Sequence, residues 1–194
     1  MARIYMIMGK SSSGKDTIYS RLKEDVRLGL KPVVIYTTRP RRIGEENGRE
    51  YFFSDDVQLQ KYEEQGRIVE MRSYNTVQGV WKYFTVDDGQ IDIQSNEKYV
   101  IIGTLDVYEK FRDYYGKEAV VPIYIEVEDK IRIHRALERE DRQPAPDYKE
   151  MCRRYVADEA DFSESRLESL GIVKRYRNES LEQCVEEIAG EILR

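Results

Sequence analysis

The stretch Met8-Gly9-Lys10-Ser11-Ser12-Ser13-Gly14-Lys15-Asp16-Thr17 sets a lysine directly after the second of two glycines. Gly9 and Gly14 permit a tight backbone that turns successive N–H groups toward one point. A helix starting there adds the positive end of its dipole, and Lys15 supplies a mobile charge for the outer phosphates of a nucleotide. The apolar run Ile4–Met8 before the loop and an amphipathic segment after it give the strand–loop–helix context that a phosphate-binding loop needs. Ser11, Ser12 and Ser13 fill the loop. A Ser-rich turn with a salt-bridged lysine would explain neither glycine. One residue departs from the full pattern: Asp16 stands where a Ser or Thr commonly ligates Mg2+, with Thr17 one place later. Either Asp16 holds the ion through water, or it points away and leaves Thr17 to contact phosphate.

A second set of groups lies in Thr37–Phe53. Arg39, Arg42, Glu45, Gly48 and Tyr51 converge only if this charged loop folds back on itself. Guanidinium groups bind phosphate oxygens through two parallel hydrogen bonds, and a tyrosine hydroxyl adds a neutral donor. A solvated basic loop is the plain alternative. A third set, Arg132, Arg135, Arg139 and Arg142, has spacing that also fits surface ion pairs with Glu138. The one histidine, His134, reads as structural or surface.

These groups need a scaffold. Strands are expected at Ile4–Met8, Pro32–Tyr36, Tyr51–Phe53, Ile68–Met71, Gly79–Thr85, Asp92-Ile93, Tyr99–Thr104, Ala119–Val127 and Ile172-Val173. Helices are expected from Asp16 to about Arg27 (Ile18, Leu22 and Val26 on one face), over Val57–Gln65 and Val107–Tyr115, from Lys130 onward, and over Leu181–Leu193. Strands alternating with helices predict an α/β fold with a mostly parallel sheet flanked by helices. One domain of 194 residues is expected: a core of about 1–36, 95–127 and 158–194, a small mixed α/β insertion over 37–94, and a charged helical hairpin over 128–157, broken at Gln143-Pro144-Ala145-Pro146.

A net charge of -5 argues against a general nucleic-acid or membrane-surface binder, whereas local arginine clusters suit a small anionic ligand. Cys152 and Cys184 lack paired spacing and read as free thiols in a reducing compartment. No leader-like segment precedes the first strand and no apolar run approaches ~20 residues, so the cytoplasm is the expected location.

The run Thr37-Thr38-Arg39-Pro40-Arg41-Arg42-Ile43-Gly44-Glu45-Glu46-Asn47-Gly48-Arg49-Glu50-Tyr51-Phe52-Phe53 closely resembles the signature of guanylate kinases. That signature is T-[ST]-R, a basic residue three further on, then an acidic residue, a glycine, a tyrosine and an aromatic at fixed spacing; only Ser54 falls outside it. The resemblance extends in weaker form over nearly the whole chain. It implies an ATP-dependent nucleoside monophosphate kinase converting GMP to GDP with Mg2+, built on a P-loop fold with a GMP-binding insertion and a mobile lid. Its partners would be small nucleotides, with no nucleic acid or membrane, and it would act as a monomer or homodimer.

Carried over by position, Arg39, Arg42 and Tyr51 would hold the GMP phosphate, with Glu45 in the same site. Glu70 would read the guanine edge, Tyr83 would be a second phosphate-binding tyrosine, and Thr85 the small hydroxyl residue after it. Lys15 and Arg39, with Arg135 and Arg142 from the lid and Arg153 or Arg154 returning from it, would stabilise the transferring phosphoryl group. Asn178 resembles an asparagine near the family's nucleotide-base site. Besides Asp16, two positions depart from the family: Ile35 replaces a hydroxyl residue directed at guanine, and the Asp-x-Asp strand end has only Asp106, one place out of register. Those departures leave room for a kinase of another phosphorylated acceptor, such as a sugar phosphate. A non-catalytic guanylate-kinase-like binding module is the third reading, although such modules have typically lost the ATP loop that Gly9, Gly14 and Lys15 keep.

Overall fold

The computed structural model describes residues 1–76 and 79–194. Strand β1 (Arg3–Met8) lies at the centre of the main sheet. Its Ile4, Met6 and Met8 face one core while Tyr5 and Ile7 face the other. Burial on both sides is why the strand reads as an unbroken apolar run. After the phosphate-type loop, helix α1 (Lys15–Glu24) buries Ile18 and Leu22. It stops before Val26, which is 94% exposed; the Asp25 carboxylate takes the backbone N–H and guanidinium of Arg27, and Leu28 packs into the core instead.

The strand expected over Pro32–Tyr36 is two strands in two sheets. Strand β2 (Leu30–Pro32) joins the main sheet, and β3 (Tyr36–Thr37) joins a smaller one. Between them the chain crosses over, and the side chain of Gln90 does the work of a neighbouring strand. Its Oε1 accepts from Val34 N at 2.9 Å and its Nε2 donates to Val34 O at 3.0 Å.

Strand β4 (Phe52–Phe53) pairs parallel with β3, and helix α2 (Asp56–Glu64) follows, capped by the Asp55 carboxylate accepting from Gln58 N. Strands β5 (Ile68–Thr76) and β6 (Gly79–Val86) complete the small sheet in the order β4-β3-β6-β5. The two residues between them, Val77 and Gln78, lie outside the described residues. No strand forms at Asp92-Ile93; Asp92 N donates instead to the Tyr99 hydroxyl.

The main sheet continues with β7 (Lys98–Ile102), helix α3 (Leu105–Tyr115) and β8 (Val120–Glu126). Helices α4 (Asp129–Asp141), α5 (Tyr148–Asp161) and α6 (Glu164–Ser169) lead to β9 (Tyr176–Arg177) and α7 (Leu181–Ile192). The sheet order is β2-β7-β1-β8-β9, every pair parallel. The last strand lies at Tyr176, not at Ile172-Val173: Val173 is exposed, whereas Tyr176 is buried and opposite Ile125. Cys184 is buried on α7, where burial pushes its thiol up to about 11, and Cys152 is exposed; both are free. Among the described residues no helix is long and apolar enough to cross a membrane.

Candidate active site

The loop between β1 and α1 is shaped as much by its neighbours as by its turn. Gly14 adopts φ 86°, and a Cβ there would lie 2.4 Å from Nδ2 of Asn178. A Cβ on Gly9 would lie 2.7 Å from the Ile125 carbonyl oxygen. Asn178 is buried; its Nδ2 donates to Ser13 O at 2.8 Å and its backbone N–H to Glu126 O at 3.0 Å. It braces the loop from beneath, and Arg135 Nη2 reaches its carbonyl at 3.1 Å.

The opposite flank of the loop is tied to the helical hairpin. Asp158 accepts from Ser11 N at 2.7 Å, Arg132 Nε donates to Ser11 O at 3.2 Å, and Lys10 Nζ meets Glu159 at 2.7 Å. Arg132, whose spacing fits a surface pair, is in fact 1% exposed. It contacts Asp129, Asp158 and Glu159, with the Tyr155 ring 4.7 Å away. Such a buried cation is tolerable only when so paired. His134 is exposed.

Above the loop is a cavity of about 450 Å³. Ser11, Ser12, Gly14, Lys15, Asp16 and Thr17 form its floor, and Arg135, Arg139 and Arg154 its far wall. The Ser12 and Ser13 hydroxyls are buried without a partner among the described residues. With the loop amides, they make a donor-rich concavity suited to an anion. Arg142 and Arg153 are turned to Glu138 and Glu150 at the surface, and neither lines this cavity. Of the two adjacent arginines on α5, Arg154 is therefore the one beside the loop. Lys15 Nζ is 3.8 Å from the Asp16 carboxylate, whose side chain is 80% exposed.

Asp16 also borders a second cavity of about 560 Å³, within the usual size of ligand pockets. Tyr51 and Tyr83 stand on its wall, their rings edge-to-face at 5.7 Å. Burial raises the Tyr51 hydroxyl above its ordinary value, so it is a neutral donor. Behind it Arg39 is 3% exposed and doubly bonded to Glu45 at 2.7 and 2.9 Å. The Tyr51 ring lies 5.1 Å from that guanidinium. The Arg39 fork, with the Arg42 N–H, holds the Glu45 carboxyl down to about 2, and the same contact raises Arg39. Arg42 itself presents an exposed side chain with no partner among the described residues.

Farther in, a register shift between Ile68 and Glu70 turns Glu70 toward Thr85. Thr85 Oγ1 donates to one Glu70 oxygen at 2.8 Å, and Arg72 Nε to the other at 3.0 Å. Arg72 was not among the residues singled out in the sequence. Its signal was available: it sits two residues from Glu70 in a strand, hence on the same face.

The guanylate kinase family model matches residues 1–190. The chain is 32% identical over 122 residues to a guanylate kinase of Porphyromonas gingivalis, covering 62% of this chain and 63% of that protein, less than two thirds of its length. A guanylate kinase of Caldanaerobacter subterraneus is 28% identical, with 98% and 86% covered. The crystal structure of guanylate kinase from Anaplasma phagocytophilum has the same fold, at TM-score 0.67 and 18% identity over 98% of this chain and 84% of that one. With a match over almost its whole length, the chain belongs to the guanylate kinase family.

Proposed function

We propose that this protein transfers the γ-phosphoryl group of ATP to a nucleoside monophosphate, GMP above all, giving GDP and ADP. The observation that carries the reading is the pair of cavities that meet at Asp16, one over the Gly9–Thr17 loop and one walled by Tyr51 and Tyr83. Two anionic ligands seated there would approach each other at that residue.

Phosphoryl transfer asks the protein mainly for positioning and charge stabilisation. The loop amides and Lys15 would hold the outer phosphates of ATP. Arg135, Arg139 and Arg154 would offset the charge that develops between donor and acceptor. On the acceptor side, Glu45 fixes the Arg39 fork, and Tyr51, Tyr83 and Arg42 are the groups with donors to offer a phosphate. Closure of the helical hairpin over both ligands would exclude water and limit ATP hydrolysis.

Magnesium binds through one or two protein oxygens together with substrate phosphates. Asp16 and Thr17 at the loop fit that donor set, and the ion would supply neutralisation of phosphate charge. We further place the reaction in the cytoplasm, with small nucleotides as partners and neither nucleic acid nor membrane, in a monomer or homodimer.

The test is ADP release coupled to each of GMP, AMP, CMP, UMP and ribose 5-phosphate. GMP should give the highest kcat/KM, and Lys15→Ala should lower turnover on the order of 10^2–10^3-fold or more with the fold intact. Turnover with the sugar phosphate alone, or an unaffected Lys15 variant, would refute the reading.

A further inference from the structure

Ser12 is the one non-glycine residue with positive φ among the described residues, at 62°. It is the third residue of a turn closed by Ser13 N–H on Lys10 O at 3.2 Å, a place where positive φ calls for glycine. A left-handed serine persists only where its surroundings over-determine it. Its hydroxyl is buried without a partner among the described residues, and the residue borders the cavity over the loop. The strain therefore lies in the nucleotide seat itself.

The restraint lies one residue earlier. Both backbone groups of Ser11 are held by the helical hairpin: its N–H by Asp158 Oδ2 at 2.7 Å and its carbonyl by Arg132 Nε at 3.2 Å. The same Asp158 oxygen takes Arg132 Nη2 at 3.3 Å, so the two side chains close a clasp around the backbone at Ser11. Glu159 repeats the bridge beside it, with Lys10 on one oxygen at 2.7 Å and Arg132 on the other at 3.0 Å. The Asp158 side chain is 14% exposed and lines neither the cavity over the loop nor the acceptor cleft.

We propose that Asp158 is a positioning residue for the phosphoryl donor. With Arg132 it fixes the peptide groups of Ser11, holds Ser12 left-handed, and so aims the Ser12 hydroxyl and the amides after it into the cavity. Without the clasp, Ser12 relaxes toward negative φ and turns those donors away. A glycine there would need no clasp, since it takes either sign of φ about as readily. The inference rests on the donor-site reading above and names what shapes that seat from outside it.

The experiment measures the dissociation constant of ADP with Mg2+ by calorimetry and, in turnover, KM for GMP. The variants are Asp158→Ala alone and combined with Ser12→Gly or with Ser12→Ala. Alone, Asp158→Ala should weaken ADP by about 5–30-fold, the equilibrium cost of a left-handed non-glycine residue. KM for GMP should stay within about twofold, because neither Ser11, Ser12 nor Asp158 lines the acceptor cleft. In the Ser12→Gly background the same change should cost about threefold or less. In the Ser12→Ala background, which lacks the hydroxyl but keeps a Cβ, it should cost as much as in the wild type. Asp158→Asn, whose amide oxygen can still take the Ser11 N–H, should recover most of the affinity. Glu159→Gln changes a side chain that is 42% exposed, so the fold is spared; it should show the same dependence on Ser12 at smaller size.

Equal losses from Asp158→Ala in the wild-type and Ser12→Gly backgrounds would overturn the inference. A rise in KM for GMP that matches the loss of ADP affinity would do so too, as would unchanged ADP affinity in both Asp158→Ala and Glu159→Gln. A wild type that binds no ADP would refute the donor-site reading, and the inference with it.

Discussion

Replacing Gly14 by alanine tests whether the loop is held by its own turn or by Asn178. The left-handed backbone at φ 86° costs an alanine roughly 1–2 kcal/mol. The new Cβ would sit 2.4 Å from Asn178 Nδ2, so the amide must retreat by about 1 Å to reach ordinary contact at 3.4 Å. That retreat breaks the 2.8 Å bond to Ser13 O and leaves buried polar groups unpaired, at a cost of about 1–3 kcal/mol. The sum is about 2–5 kcal/mol, a large share of the stability of a small domain. Gly66→Ala is the reference, since Gly66 has φ 66° but nothing within 4 Å of a Cβ; it should lose only the backbone part.

Urea denaturation of the wild type, Gly14→Ala, Asn178→Ala and the double variant gives the decisive number. Asn178→Ala should cost far less in the Gly14→Ala background than in the wild type, because the bond it removes is already gone. A coupling of at least ~1 kcal/mol is expected. Free energies that add within about 0.5 kcal/mol would show that Gly14 and Asn178 act separately, and the bracing argument would fail.

Three further outcomes follow from the site. Arg154→Ala should lower kcat on the order of 10^2-fold while Arg153→Ala leaves it within about twofold, measured at saturating substrates; the reverse order would refute the placement of α5. Arg132→Met should destabilise the fold by about 3 kcal/mol in chemical denaturation, because it strips the cation from Asp158 and Glu159. The Arg39 fork holds the Glu45 carboxyl down to about 2, below the ordinary glutamate value of about 4.5, so the pair contributes fully above about pH 4.5 and fades as pH falls toward 2. The difference in Tm between the wild type and Glu45→Gln should therefore be constant from pH 7 to 5 and shrink below that; a difference that grew on acidification would contradict the pair.

The strand–loop–helix at the chain start was legible because its pattern is local: an unbroken apolar strand, two glycines, then a 3.6-residue periodicity. The sheet-to-sheet crossing at Val33–Ile35 was not, because three β-branched residues look the same in one strand as in a crossing, and the partner that replaces the ladder is a side chain far along the chain, Gln90. Val26 misled for a similar reason. Its spacing continues the helix, but Asp25 ends it by bonding Arg27. In the site, the Arg39–Glu45 approach follows from the fold-back of one loop and could be anticipated. The burial of Arg132 depends on carboxylates from α5, so its own helix showed only exposed-looking spacing. Choosing between Arg153 and Arg154 likewise requires knowing which side of α5 meets the loop.

The loop's braces also set an order of events during synthesis. Ser11 is bound to a carboxylate 147 residues later in the chain, and Ser13 to an amide 165 residues later. At roughly 5–20 residues per second of translation, the nascent loop waits on the order of ten seconds or more before its last brace emerges. Glycine and serine alone cannot hold it in one conformation during that interval. The segment made first is therefore among the last to reach its working shape, and a nucleotide would find a rigid seat only on a chain that has already passed Asn178.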